Sequence, residues 1–321
     1  MPIPNVLEGR LALPVVAAPM FIVSGPELVV AQCKAGVVGS FPALNARPQG
    51  QLDLWLTRIR AELDAHADAH PDQPVAPFAV NQIVHASNAR LQQDMETCAE
   101  HRVPIVITSL RPPNEVVEAV HGWGGVVWHD VISVRHAKKA LEAGVDGLIL
   151  VCAGAGGHAG ALSPFALLQE VRAFYDGPLL LSGALATGRA VLAAQAAGAD
   201  LAYVGTRFIA TAEANALEAY KRMLVDGAAS DIVTSSLFTG VSGNYLKPSI
   251  AAAGLDPDAL PEVDKTAMNF GATGAKAWRD VWGAGQGLGA ITDAPSVETV
   301  VGRMRAEYAA ARADLAARAF E

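Results

Sequence analysis

A repeated unit constrains the fold more than any other feature: a glycine ends a helical stretch and leads into an unbroken apolar run. Three clear copies are KAGVVGSFPA at 34–43, EAGVDGLILVCAG at 142–154 and AAGADLAYVGTRF at 196–208. Gly36, Gly144 and Gly198 suit the left-handed position that commonly follows a helix. Unbroken apolar runs are typical of strands buried on both faces, so the repeat indicates a parallel sheet with helices around it.

Eight runs of this kind occur before residue 227, with helical patterns between them. The predicted strands are 13–18, 37–41, 78–81, 104–108, 125–129, 147–151, 178–182 and 201–205, and clear helical patterns cover 52–65, 134–143, 165–174 and 189–197. Eight strand–helix units predict an α/β protein with a (β/α)8 TIM barrel. The alternative, a doubly wound open sheet, would have fewer units and a switch point.

The repeat breaks after Gly227, and residues 228–280 mix Ser, Gly, Pro and Asn without a clean strand. We therefore expect three parts: a barrel over 1–227, a small, mainly helical cap subdomain over 228–280, and a segment at 281–321 that returns to the barrel. The amphipathic stretch 297–316 predicts a closing helix in that last segment.

Composition narrows the class of protein. The chain of 321 residues is 51% hydrophobic and 17% charged, against about 25% charged in ordinary soluble domains, which excludes intrinsic disorder. A net charge of −8 without a dense basic run makes nucleic acid and anionic membranes poor partners. The low charge also suggests an apolar contact for a homodimer.

The three cysteines are widely spaced and include no C-x-x-C pair, so we expect no disulfide framework, no thiolate metal site and a cytoplasmic location. The apolar run 11–23 is interrupted by Pro14 and Pro19 and has no basic region before it. It predicts a buried strand with its exit loop, not a signal peptide or a membrane span.

In such barrels the site lies on the loops at the carboxyl ends of the strands. The unusual residues of this chain fall there: Ala18-Pro19-Met20, Asn81-Gln82, His129-Asp130, the small-residue loop 153–160, Ser182-Gly183-Ala184 and Gly205-Thr206. The two glycine-hydroxyl pairs after the seventh and eighth strands favour a phosphate site, because exposed backbone N–H groups and a helix N-terminus attract anions. The alternative is that these glycines only form tight turns.

Histidines supply the candidate chemistry. His158 stands alone among the glycines and alanines of 153–160, a position suited to proton transfer or to a hydrogen bond with an anion. For His129, packing within the barrel and a role in the site are equally favoured interpretations. His66 and His70 have H-x-x-x-H spacing, but the glutamate of H-E-x-x-H is missing and Pro71 follows, so we expect solvated side chains and no metal.

The glycine-rich stretch 285–290 reads G-x-G-x-x-A but has neither the preceding strand nor the following unit of a dinucleotide fingerprint. We interpret it as a backbone patch that contacts a ligand at the barrel mouth.

Together these motifs resemble the nitronate monooxygenase family (formerly 2-nitropropane dioxygenase), which are FMN-dependent barrels. The resemblance runs from Ala18-Pro19-Met20 through Asn81, the AGGHAG loop at 155–160 and Ser182-Gly183-Ala184 to GTRF at 205–208 and AGQG at 284–287. It implies oxidation of alkyl nitronates by O2 to a carbonyl compound and nitrite, with FMN as cofactor and His158 as catalytic base or hydrogen-bond donor.

The resemblance also implies roles for a larger set of residues. The implied cofactor contacts are Ala18, Pro19, Met20 and Asn81 at the isoalloxazine ring, Ser182, Gly183, Gly205 and Thr206 at the phosphate, Gly285 and Gln286 closing over the cofactor, with Asp130, Ala155, Gly156, Gly157 and Ala184 completing the set.

Two positions depart from the family pattern. Asp130 stands where many relatives carry a basic or amide residue, and Val241 replaces the usual arginine of a segment at 238–244. Both changes affect cofactor or substrate electrostatics. Two alternatives therefore stay open: an NAD(P)H-dependent flavin reductase (a quinone reductase or an enoyl-acyl-carrier-protein reductase) and a non-catalytic flavin- or phosphate-binding barrel.

Overall fold

The computed structural model describes residues 4–48, 50–261 and 279–318. Eight parallel strands form the main sheet, with a closing bridge between Val16 and Val38 that joins its two ends into a barrel. The eight strands are β1 (Val15–Ala17), β2 (Gly39–Pro42), β3 (Phe78–Val84), β4 (Ile105–Leu110), β5 (Val126–Val131), β6 (Gly147–Val151), β8 (Leu179–Ser182) and β9 (Leu201–Val204), in the spatial order β1-β9-β8-β6-β5-β4-β3-β2. The predicted TIM barrel is confirmed.

Helices alternate with the barrel strands. They are α1 (Pro26–Lys34), α2 (Gln51–Ala69), α3 (Leu91–Glu100), α4 (Asn114–Gly122), α5 (Val134–Glu142), α6 (Pro164–Arg172), α7 (Gly188–Ala196), α8 (Thr206–Ile209), α9 (Glu218–Asp226), α10 (Lys247–Ala252) and α11 (Val297–Ala317). Gly36, Gly144 and Gly198 follow helices with φ of 81°, 85° and 113°, as the repeat predicts. α11 is the predicted closing helix, and it packs so closely on α7 that a Cβ at Gly188 would overlap the backbone of Met304.

Strand alternation divides the barrel into an inner and an outer core. Successive side chains of a strand point to opposite faces. The inner core consists of Leu7, Val16, Val38, Ala79, Ile105, Ile107, Trp128, Ile149, Leu180, Leu201 and Tyr203. The intervening residues, such as Val80, Val106 and Val127, pack outward against the helices. Two positions further along the strands from Ala79, Ile107 and Trp128, the inward residues are polar, so the barrel interior ends in a polar layer at the carboxyl edge.

The cap segment contains strands, contrary to the expectation that residues 228–280 would have none. β10 (Ile232–Ser235) and β11 (Gly243–Leu246) form an antiparallel pair, and β11 also pairs with the short β7 (Gly157–His158). Residues 262–278 of the predicted cap lie outside the described residues, and the division of the chain into three parts stays a prediction. The three-stranded sheet of β10, β11 and β7 joins the cap to the loop that carries His158, which we call the histidine loop.

His66 and His70 lie near the end of α2 with their ring centroids 4.5 Å apart. Over residues 4–48, 50–261 and 279–318, no cluster of three or more His, Cys, Asp or Glu side chains has the arrangement of a metal site. None of the helices described is both long enough and apolar enough to cross a membrane.

Candidate active site

A hydrogen-bonded polar layer closes the barrel interior at the carboxyl edge. Asn81 donates from Nδ2 to Ser109 Oγ at 2.9 Å and to the Ile107 carbonyl oxygen at 3.2 Å. The Ser109 hydroxyl in turn donates to Asp130 Oδ2 at 2.6 Å. These residues come from three adjacent strands, β3, β4 and β5, whose register brings their ends together. The chain of donors runs in one direction because the amide nitrogen can only donate.

Asp130 is the acidic end of this layer. Its Oδ1 is buried and has no hydrogen-bond partner in the part of the chain that the structure describes. Burial raises the pKa of Asp130 to about 6, although the hydrogen bond from Ser109 acts in the opposite direction. Tyr203 lies nearby in the inner core, and its pKa is raised well above the ordinary value by burial and by the charge of Asp130.

Glycines follow β8 and β9, Gly183 buried and Gly205 half-buried. Gly183 has φ of 140°, and a Cβ there would lie 2.7 Å from the Ala153 carbonyl oxygen, so no other residue fits without a shift. A Cβ at Gly205 would sit 3.5 Å from Ala18 Cβ and 3.8 Å from Met20 Sδ. Glycine therefore keeps open the space between the β9 edge and the loop after β1. Ser182 precedes Gly183 with only 9% of its surface exposed.

This arrangement fits FMN. The half-buried edge at Gly205 and Thr206, where the short helix α8 begins, can present backbone N–H groups to a phosphate. Asn81 and Asp130 supply polar groups on the far side of the barrel mouth for a heterocyclic ring. A buried carboxyl oxygen without a partner and a space kept clear by glycine are both what a polar ligand would satisfy.

The stretch 284–290 packs over the loop that follows β6. Gly154 O accepts hydrogen bonds from Ala184 N at 3.2 Å and from Gln286 N at 2.9 Å. Gly285 N donates to Thr206 Oγ1 at 2.9 Å, and a Cβ at Gly156 would lie 2.8 Å from Gly285 N. The stretch thus lies at the barrel mouth as a backbone patch, in agreement with its predicted position, and joins the loop at 154–156 to the predicted phosphate edge.

His158 lies on β7, paired with Gly243 of β11. Its Nε2 is 2.8 Å from Thr239 Oγ1, and burial lowers its pKa to about 4, so the imidazole is neutral near pH 7. The Thr239 hydroxyl has a single hydrogen, and two acceptors lie within reach of it: the Val241 carbonyl oxygen at 3.1 Å and Nε2 of His158. When that hydrogen is donated to Nε2, the proton of the neutral ring is on Nδ1; when it is donated to Val241, the Thr239 oxygen accepts from Nε2–H. The direction of this one hydroxyl is therefore coupled to the tautomer of His158.

Asn244 fixes the cap to the histidine loop. Its Nδ2 donates to the Ala155 carbonyl oxygen at 2.6 Å, and its Oδ1 accepts from Thr234 Oγ1 at 2.5 Å. The side chain is 5% exposed. Asn244 thus joins the residue next to Gly156 to both strands of the cap hairpin.

A second asparagine holds the loop after β1. Asn45 donates to the carbonyl oxygens of Met20 at 3.0 Å and Ser24 at 2.8 Å, and it accepts from Ile22 N at 2.9 Å. Ile22 has φ of 68°, a strained conformation for a β-branched residue. The clamp maintains that strain and with it the position of Met20.

Beside this loop lies a cavity of about 610 Å3. Its walls are Phe21, Ile22, Gly25, Pro26, Glu27, Leu44, Asn45, Arg47, Trp55, Glu213, Ala214 and Asn215. It shares no residue with the predicted cofactor contacts, but Phe21 follows Met20 directly in the chain.

His129, left undecided by the sequence, faces outward from the barrel. Its Nδ1 is 2.8 Å from Thr108 Oγ1, and burial lowers its pKa to about 4. It is a neutral packing residue between the sheet and the helices, on the face of β5 opposite to the inward-facing layer.

Sequence reasoning missed Ser109, Asn45 and Asn244. Ser109 had a usable signal, because it continues the inward alternation of Ile105 and Ile107 with a polar side chain. The two asparagines had none, since the loops that they hold lie 21 or more residues away in the chain.

Comparison with known proteins agrees with this architecture. The family model described as nitronate monooxygenase matches residues 58–307. The chain belongs to the nitronate monooxygenase family. Members of this family are flavin-dependent oxidoreductases.

The individual relatives are distant. A nitronate monooxygenase of Paraburkholderia phytofirmans is 26% identical over 76% of this chain and 76% of its own length. A dehydrogenase of Rhodococcus jostii, named for a 5-hydroxy-7a-methyl-1-oxo-octahydro-indene-4-carboxyl-CoA, is 28% identical over 74% of this chain. The match spans under two thirds of that relative, 63% of its length. The structure of a nitroalkane oxidase from Streptomyces ansochromogenes superposes with a TM-score of 0.77 at 24% identity, covering 97% of this chain and 100% of the other, which shows the shared fold.

Proposed function

We propose that the protein binds FMN and oxidises alkyl nitronates with O2, giving a carbonyl compound and nitrite. Family membership and the strand-end arrangement support this activity. In the overall reaction two nitronate anions and one O2 give two carbonyl compounds and two nitrite ions, so that each carbonyl group gains one oxygen atom. FMN, when bound, supplies the electron-accepting chemistry.

The single observation that carries the proposal is the state of His158. Its low pKa makes it a weak base, poorly suited to removing a proton from a neutral nitroalkane. A nitronate is already an anion and needs no base. A neutral imidazole with its proton on Nδ1, as Thr239 allows, can donate a hydrogen bond to a nitronate oxygen.

The other residues bind and orient. Ser182, Gly183, Gly205 and Thr206 would hold the phosphate with hydroxyl and backbone N–H groups. Ala18, Pro19, Met20, Asn81 and Asp130 would contact the ring, with Ala155, Gly156, Gly157, Ala184, Gly285 and Gln286 around it. Asn244 holds Ala155 to the cap, and Thr206 holds Gly285 to the end of β9, so both segments are fixed in place around the proposed ring site.

The test is turnover of propyl-2-nitronate by the FMN-reconstituted protein in air, with nitrite and O2 measured together. We expect one O2 consumed for each two nitrite ions released, and transient bleaching of the flavin when O2 is removed. 2-Nitropropane kept in its neutral form should react far more slowly than its nitronate. Equal rates for the two forms, or no nitrite at all, contradict the proposal.

A second candidate is oxidation or reduction of an acyl thioester. The carboxyl-CoA dehydrogenase named above favours it, and the cavity of about 610 Å3 beside the Met20 loop could receive a large acyl group. Anaerobic titrations of the yellow protein with a hydroxyacyl-CoA, with NADH and with nitronate separate the candidates by which reagent bleaches the flavin. Absence of any flavin binding would leave only the non-catalytic barrel.

A further inference from the structure

Asp130 is the ionisable member of the polar layer that it forms with Asn81 and Ser109. The hydrogen bonds around it determine where its proton can lie. The Asn81 amide nitrogen donates to Ser109 Oγ, so the Ser109 hydrogen points away from Asn81 and is donated to Asp130 Oδ2. Oδ2 therefore acts as an acceptor. When Asp130 is neutral, its proton is on Oδ1, the oxygen that is buried without a partner in the described chain.

The surroundings of Asp130 disfavour its charged form. Ile149 and Val151 of the adjacent β6 are apolar, and Ser109 of β4 supplies a neutral hydroxyl. Tyr203 of β9 is the titratable group that faces it from across the barrel, and its phenol stays protonated. Among the residues that the structure describes, no cation lowers the pKa of Asp130. Burying a carboxylate without a positive partner costs free energy, so Asp130 is favoured in its neutral, protonated form. A ligand atom that accepts a hydrogen bond from this acid is then favoured over one that donates.

We propose that Asp130 enters the flavin complex as a neutral carboxylic acid and donates a hydrogen bond from Oδ1 to an acceptor atom of the flavin ring. The proposal rests on the proposed binding of FMN. The direction of the donor chain Asn81–Ser109–Asp130 and the unpartnered Oδ1 carry it. The FMN complex then keeps the proton on Asp130, whereas the free protein loses it as the pH rises. Burial raises the pKa of Asp130 to about 6, so this loss occurs in an experimentally accessible pH range.

The test compares the FMN dissociation constants of wild type and Asp130→Asn between pH 5 and 8.5, measured by quenching of flavin fluorescence. The second ionisation of the FMN phosphate falls in the same range, near about pH 6, but it affects both proteins equally. The readout is therefore the ratio of the wild-type to the variant constant. We expect this ratio to rise about fifty-fold between pH 6 and 8, because deprotonation of an acid with a pKa of about 6 competes with binding.

Two further variants exclude a merely structural role. Ser109→Ala removes the hydrogen bond that stabilises the carboxylate, so the midpoint of the wild-type pH profile should move to higher pH. Asp146→Asn removes a carboxylate at the opposite end of the barrel, where it accepts from Val127 N at 2.7 Å, and should leave the profile unchanged. An infrared difference spectrum of the FMN complex should show the carbonyl band of a protonated acid, absent from Asp130→Asn.

The outcomes separate the two proposals. A ratio that is constant with pH, or one that falls as the pH rises, overturns the neutral-acid assignment while FMN binding stands. Wild-type protein that binds FMN at no pH overturns the proposed function itself.

Discussion

The two halves of the candidate site are held in different ways. Asn81, Ser109 and Asp130 lie on neighbouring barrel strands, and strand alternation with parallel register places them. His158 lies on a two-residue strand and depends on Thr239, 81 residues further along the chain. The first half is built into the barrel core. The second half is held by a small number of contacts from the cap, and each of them should be individually sensitive to mutation.

The largest expected effect is on the cap side. His158→Ala should lower kcat/KM for propyl-2-nitronate by about 10²- to 10³-fold, the cost of losing one preorganised donor to an oxyanion. FMN affinity should stay near the wild-type value, because the predicted phosphate contacts are on the barrel. Steady-state kinetics and flavin titration measure the two effects.

His129→Ala is the matched control for that substitution, since burial lowers the pKa of both histidines to about 4 but His129 faces the helices. Its kcat/KM should remain within a few-fold of wild type. If both histidine variants lose activity to the same extent, the distinction between the inward site and outward packing is wrong.

Acid should destabilise the protein because His129, which packs between the barrel strands and the helices, must be protonated. Burial lowers the pKa of His129 from 6.5 to about 4, so below pH 6.5 the unfolded chain binds a proton that the folded chain does not. This contribution to the free energy of unfolding is present above pH 6.5 and is lost as the pH falls toward 4, by about 3 kcal/mol at most. Urea unfolding at several pH values should show a shallower pH slope in His129→Gln.

Asp130 acts in the opposite direction. Its pKa is raised to about 6, so its contribution to the free energy of unfolding is present at low pH and is lost as the pH rises from about 4 to 6.

His70→Gln, at an exposed position near the end of α2, is the control for the unfolding measurement on His129→Gln. A pH slope reduced equally in His70→Gln and His129→Gln would contradict the assignment to burial.

A smaller effect tests how the cap orients His158. Thr239→Val removes the hydroxyl next to Nε2, and with it the donor that can hold the ring proton on Nδ1. We expect about a tenfold loss of kcat/KM, equivalent to one hydrogen bond, with Thr239→Ser near wild type. A Ser variant as impaired as the Val variant would show that packing, not the hydroxyl, is what matters.

The contrast between the halves also explains what could be predicted from sequence. The barrel strands follow from apolar runs and glycine stops, and the predicted strand 147–151 matches β6 residue for residue. Alternation alone could have resolved His129, because Trp128 and Asp130 face inward and the residue between them must face outward. Ser109 could have been found in the same way.

The cap could not be predicted by the same rules. β10 and β11 are four residues each, and β11 is fully buried while β10 is half-exposed, so neither shows the length or the alternation that identifies a strand. Their pairing with β7 is a tertiary contact. The role of Asn244 depends on that pairing, and no local pattern in 228–261 indicates it.

The smallest expected effect lies where the two halves meet. Ala184 follows Gly183 at the end of β8, has φ of 56°, and donates from its backbone N to Gly154 of the histidine loop. Left-handed backbone costs a non-glycine residue about 1 to 2 kcal/mol, and glycine forfeits about 0.5 to 1 kcal/mol in unfolded-state entropy. Ala184→Gly should therefore stabilise the protein by about 0.5 kcal/mol in urea unfolding. Gly154→Ala, at a φ of 84° with Ala184 Cβ 3.3 Å from the added carbon, should change stability in the opposite direction. Stabilisation by both substitutions would mean that the strain at this junction is not in the backbone of Ala184.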